Sequence, residues 1–236
     1  MKAFTSGRHN IRLYPAKSAN SPCVLALLSE DEAPALPSEI AKIPCRDHSL
    51  ICVSGFDWNE ELSPWPCDRV DARLGPFGGH ADVFLKELLE KILPQAECAL
   101  PERSQLMIAG YSLAGLFSLW ALTRTPLFAA AASVSGSLWY PDFIEYLKGT
   151  PLQCAPQRIY LSLGDRERLS KSTVIATVEE RTSECEAWLQ SQGIDSCFEL
   201  NQGGHLNQSV WRIARAIRAL LRRRPLAVHG AETVLQ

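Results

Sequence analysis

The sequence predicts an α/β fold in which one mostly parallel sheet is covered by helices on both faces. Three observations predict it. Short apolar runs suited to buried strands recur at residues 24–28, 49–53, 106–109, 128–134, 159–163 and 197–200. Helical periodicity separates several of these runs, most clearly from Phe84, after Ser112 and from Val178. At 236 residues the chain suits one sizeable α/β domain, residues 1–236, and does not need two.

The elements follow in order. Residues 11–14 alternate apolar and polar and predict an edge strand, and residues 24–28 predict a buried one. Residues 29–38 are acidic and proline-bearing and read as a loop. The strand at 49–53 runs into a loop with Trp58, Pro64, Trp65 and Pro66, where exposed tryptophan is unfavourable unless it covers a pocket or the core. From Phe84, two apolar rows (Phe84, Leu88, Ile92 and Leu85, Leu89, Leu93) oppose charged residues, and Pro94 is expected to close that helix. The helix after Ser112 is apolar nearly all round, which predicts burial, and it stops at Thr125-Pro126. Val178, Thr182, Cys185 and Leu189 share one face of a later helix. A final helix sets Val210, Ile213, Ala214, Ile217, Leu220 and Leu221 against Arg212, Arg215, Arg218 and Arg222, which read as its solvated face. The tail after about residue 225 is expected to be loosely ordered.

Composition excludes several classes of function. A net charge of -2 gives no general attraction to nucleic acid or to an anionic membrane. The eight cysteines are scattered with no Cys-x-x-Cys pair, which disfavours a zinc site or redox dithiol, so no metal and no cofactor are expected. No apolar run approaches the roughly 20 residues of a membrane span. The N-terminal residues lack a signal-peptide core, and the expectation is a cytoplasmic protein with free thiols.

The chemistry centres on Gly110-Tyr111-Ser112-Leu113-Ala114-Gly115. A serine between a buried strand and a helix, with small residues on both sides, is what a nucleophile elbow requires, because the tight turn brings two backbones together. The helix N-terminus beneath it favours developing negative charge. A serine hydroxyl needs a base, and the base needs a third group to orient it. His205 follows a strand and two glycines and is the best base; His9, His48, His80 and His229 are placed less well. The turn Gly164-Asp165-Arg166-Glu167 offers two carboxylates. Serine, acid and histidine each fall at the carboxyl end of a strand, where functional groups collect in such sheets. An oxyanion would be held by the backbone N–H of Leu113 and by a second donor from the loop around residues 55–58, taken as Asp57 or Trp58.

These stretches, together with Asp57-Trp58-Asn59 and Ser63-Pro64-Trp65-Pro66, resemble bacterial esterases of the esterase D-like, siderophore-esterase-like branch of the α/β-hydrolase superfamily. The similarity spans about residues 49–221. It implies an α/β-hydrolase fold, a Ser-His-acid site with Ser112 and His205, and ester hydrolysis without a metal. It does not imply a siderophore substrate. Hydrolases of this type often place the acid three residues after the glycine, which favours Glu167, with Asp165 second.

The connection at residues 137–157 is too short for a large lid domain, so a fairly open cleft is expected, walled by Trp58, Trp65, Trp139 and Tyr140 and suited to aryl or mid-sized acyl groups. The leading expectation is a serine esterase acting on a small-molecule ester. An acyltransferase or thioesterase would use the same three residues, and a non-catalytic binding protein is the remaining alternative. The sequence leaves the oligomeric state open.

Overall fold

The computed structural model describes residues 1–68, 70–71 and 74–222. The expected loose tail, with Arg223 and Arg224, lies outside the described residues. Among the described residues, strands β1 (Lys2–Ser6), β2 (His9–Tyr14), β3 (Ser21–Leu27), β4 (Ser49–Ser54), β5 (Arg103–Tyr111), β6 (Phe128–Val134), β7 (Arg158–Gly164) and β8 (Ser196–Asn201) form one sheet. Its order is β1-β2-β4-β3-β5-β6-β7-β8. β1 pairs antiparallel with β2, and β2 antiparallel with β4; every other pairing is parallel. The expected edge strand at 11–14 is therefore one strand in from the edge. β1 takes the edge, and its mostly exposed Lys-Ala-Phe-Thr-Ser carries too little apolar signal to be read as a strand.

Alternation splits the parallel strands between two cores. In β3, Cys23, Leu25 and Leu27 face one cluster while Val24 and Ala26 face the other. A strand buried on both faces reads as a continuous apolar run, which is why these strands stood out in the sequence. One face is covered by helices α1 (Leu36–Ala41) and α8 (Ser209–Leu221). The other is covered by α3 (Ala81–Glu87), α5 (Leu113–Ala121), α6 (Phe143–Gly149) and α7 (Val178–Ser191), with the short α2 (Trp58–Glu61) and α4 (Leu93–Glu97) beside them.

Two expectations about helix ends are corrected. α1 begins inside the stretch read as a loop, with its proline in the first turn, where a missing N–H costs nothing. Pro94 does not close the helix that starts at Ala81. A wide π-type turn at Leu88–Ile92 leads directly into α4, and Pro94 occupies the first turn of that segment. The widened turn absorbs a ring that an uninterrupted α-helix would not tolerate.

α5 is buried along its whole length, as its sequence predicts. The buried residues of α7 are Val178, Thr182, Cys185 and Leu189, the predicted face. The link from β6 to β7 contains only α6, and among the described residues there is no separate lid domain. None of the helices described is long and apolar enough to cross a membrane.

Candidate active site

The site is built on the turn from β5 into α5. Ser112 adopts φ 56° and ψ -122°, outside the regions open to an ordinary L-residue. Its N–H donates to Val134 O at 3.0 Å, and its carbonyl accepts from Ser137 N at 3.1 Å, so the end of β6 holds the strained residue from both sides. The small neighbours have a steric cause. A Cβ on Gly110 would lie 2.2 Å from the Ala114 carbonyl oxygen, and one on Gly115 would lie 3.0 Å from Gly110 O.

Ser112 Oγ lies 3.1 Å from His205 Nε2, and His205 Nδ1 lies 2.7 Å from Glu167 Oε2. Ser137 Oγ is 3.4 Å from Ser112 Oγ. Glu167 is buried, and its Oε1 accepts from Gly164 N at 2.6 Å, Ser135 Oγ at 2.7 Å and Arg212 Nη1 at 3.2 Å. Burial alone would raise the Glu167 pKa. The hydrogen bond and charge of His205, with the donors from Gly164 and Ser135, outweigh it and hold the carboxyl below its ordinary value. The carboxylate is thus ionised and aimed at Nδ1, which fixes the proton there and leaves Nε2 facing the serine as an acceptor.

Asp165 stands outside this chain. Its Oδ1 accepts from Gly203 N at 2.9 Å and its N–H donates to Asn201 O at 2.8 Å, so it ties down the loop carrying His205. The Tyr111 hydroxyl donates to the His205 carbonyl from the other side. Sequence reading missed Tyr111, Ser135, Ser137 and Arg212. Ser135 and Ser137 follow β6, the neighbour of the elbow strand, and that adjacency was their only signal. Arg212 is corrected outright: it is 1% exposed rather than solvated. It sits four residues before the buried Ala216, on the inward side of α8.

The N–H of Leu113 opens α5, where first-turn N–H groups have no intrahelical partner. The Asp57 N–H is already given to Glu61 Oε2 at 2.8 Å, which corrects its expected role as an oxyanion donor. Trp58 N–H, at the first position of α2, is the candidate left on that loop.

A cleft of about 450 Å³ opens over Ser112, His205 and Glu167. Its apolar wall is Leu74, Trp139, Leu169, Ile175, Val178 and Leu206. Of the four expected aromatic walls, only Trp139 lines it. Trp65 packs at 5.8 Å against Tyr140 and at 5.1 Å against Tyr146, and its carbonyl accepts the Tyr140 hydroxyl at 2.6 Å. Trp58 stacks edgewise on Phe56 at 6.0 Å. Tyr140 is buried, and Trp58, Trp65 and Tyr146 are partly buried against the core. Among the described residues, no group of three or more His, Cys, Asp or Glu side chains is placed to hold a metal ion.

The chain has the fold of the α/β-hydrolase class. Solved structures that share it include the siderophore hydrolase EstA from Aspergillus nidulans, with TM-score 0.70 and 18% identity over 93% of this chain and 92% of that one. An IroE-like serine hydrolase from Shewanella oneidensis matches with TM-score 0.73 and 15% identity, over 93% and 79%. The enterobactin esterase FES from Shigella flexneri matches with TM-score 0.65 and 20% identity, over 90% and 54%. No family model matches the chain. A curated relative, the uncharacterized protein YbbA of Bacillus subtilis (strain 168), is 27% identical over 162 residues, 65% of this chain. The match spans 64% of that relative's length.

Proposed function

We propose that the protein is a carboxylic ester hydrolase working through an acyl-serine intermediate. The observation that carries this reading is the unbroken hydrogen-bonded chain from Ser112 through His205 to Glu167, opening on an apolar cleft. In the first step His205 Nε2 takes the Ser112 proton as Oγ attacks the ester carbonyl. Glu167 stabilises the imidazolium so formed. The oxyanion is held by Leu113 N–H together with a donor from the α2 loop, for which Trp58 N–H is the candidate. His205 then gives its proton to the leaving alcohol, and a water molecule activated by the same nitrogen releases the acid. Each step uses groups of the chain and water.

The substrate we assign is a small ester with an apolar acyl or aryl portion, in keeping with the Leu74, Trp139, Ile175 and Val178 wall. We read the chain as a single domain working in the cytoplasm, a reading supported by its eight unpaired cysteines. The test is labelling by a fluorophosphonate probe and turnover of p-nitrophenyl esters, both of which Ser112→Ala should abolish. Thioester cleavage without ester cleavage, or acyl transfer to added alcohols outrunning hydrolysis, would replace this reading with a thioesterase or an acyltransferase.

A further inference from the structure

Arg212 is the charged side chain that the sequence pattern assigns to solvent and the fold assigns to the interior. It lies in the first turn of α8, beneath the carboxyl edge of the sheet. Its guanidinium meets groups at the ends of four adjacent strands. Nη1 is 3.4 Å from Tyr111 Oη at the end of β5, 3.0 Å from Ser135 Oγ just past β6, and 3.2 Å from Glu167 Oε1 just past β7. Nη2 donates to Gln202 O, just past β8, at 3.1 Å. The Tyr111 hydroxyl in turn donates to the His205 carbonyl. Gly164 leaves room for the fork, since a Cβ there would lie 2.9 Å and 3.0 Å from the two terminal nitrogens.

A buried guanidinium is costly to desolvate, and an apolar side chain would fill the same volume without that cost. What the apolar side chain would lack is a rigid planar fork with several donors. Here the fork connects the strand that leads into Ser112, the Glu167 carboxylate and the His205 loop, either directly or through one further hydrogen bond.

We propose that Arg212 is a positioning residue: it fixes Glu167 and the His205 loop against Ser112, and its guanidinium charge offsets that of the carboxylate. The proposal rests on the hydrolase reading above. Glu167 and Arg212 together are electrically neutral, so protonating the imidazole leaves a net positive cluster. Without Arg212, the lone carboxylate favours the imidazolium. Among the described residues, the other groups around His205 are the Tyr111 ring at 5.4 Å, Ser112, Arg166 and Asp71 along the cleft, and Asp165 through Gly203. All are retained in an Arg212 variant, so a displaced profile reports Arg212.

The experiment measures kcat and KM for a p-nitrophenyl ester from pH 5 to 9, with thermal melting, in wild type, Arg212→Met and Arg212→Lys. Arg212→Met is expected to lower kcat about 30-fold near neutral pH, to leave KM within about threefold, and to move the acid limb of the profile up by about one pH unit. Arg212→Lys keeps the charge but loses the fork, so its acid limb should stay in place while kcat falls about fivefold. An Arg212→Met profile with the wild-type acid limb and kcat, beside a lowered melting temperature, would overturn the proposal and leave a structural role. If Arg212→Met does not fold, Arg212→Lys and Tyr111→Phe decide. Both should lose kcat with an unmoved acid limb, and wild-type kcat in both would overturn it. A wild-type protein that neither labels nor turns over would refute the hydrolase reading instead.

Discussion

Exchanging Glu167 for glutamine removes one charge and no volume. At Oε1 the site presents three donors, from Gly164, Ser135 and Arg212, at 2.6, 2.7 and 3.2 Å. The amide oxygen must occupy that position, which turns the amide NH2 toward His205 Nδ1 across the former 2.7 Å contact. Nδ1 then has to accept, so the proton moves to Nε2, which faces Ser112 Oγ as a donor and can no longer take its proton. The same tautomer inversion in the serine-protease triad costs about 10⁴-fold in kcat, so Glu167→Gln should lose about 10³–10⁴-fold in kcat, or about 4–5.5 kcal/mol of barrier. Steady-state turnover of a p-nitrophenyl ester, with the rate of fluorophosphonate labelling, reads the effect. Asp165→Asn is the matched control. Its amide oxygen still accepts Gly203 N–H, so activity should stay within about threefold. A Glu167→Gln enzyme within about tenfold of wild type would refute the argument and leave a Ser112–His205 dyad.

Three further outcomes follow from the geometry. In Gly164→Ala the new Cβ would lie 2.2 Å from Gly203 O, and the variant should lose about 2–3 kcal/mol in urea unfolding together with activity; an unchanged midpoint would contradict the packing. Burial works against a charged His9, but its hydrogen bond to Glu61 and the charges of Glu61 and Glu87 prevail, raising its pKa above 6.5. Its stabilisation is therefore complete below pH 6.5 and is lost as pH rises through the raised value, so the stability gap between wild type and His9→Gln should shrink from pH 6 to 8.5. A gap independent of pH would refute that. With p-nitrophenyl esters, kcat/KM should rise roughly fourfold per added methylene, about 0.8 kcal/mol each, until the cleft is filled. Leu206→Asp at the cleft edge should flatten that rise, and a preference for acetate would exclude an apolar acyl site.

The parallel strands were legible because burial on both faces writes an unbroken apolar run, and the elbow because Gly110 and Gly115 answer a close approach of backbones. β1 and α1 were not legible: one is an exposed edge of mixed polarity, the other a six-residue helix opened by a proline. At the site, Ser112, His205 and Glu167 are brought together from three separate strand ends. Arg212 escaped because α8 carries arginines at positions 212, 215 and 218, with Arg222 just past its end, and spacing alone does not distinguish the one that turns inward. Tyr140 misled for a related reason: its hydroxyl donates to the Trp65 backbone carbonyl. A ring with a polar partner of its own packs inward as readily as it lines a cleft.

The backbone of Ser112 sets catalysis and stability against each other at a single residue. Glycine adopts its φ of 56° freely, whereas a residue with a Cβ is held there at a cost of about 1–3 kcal/mol. Ser112→Ala and Ser112→Gly should be equally inactive, yet the glycine form should be the harder one to unfold, by the strain relieved less the glycine's greater freedom in the unfolded chain. On the proposed reading, a copy of this chain released from any need for turnover would therefore gain robustness by giving up Ser112 first.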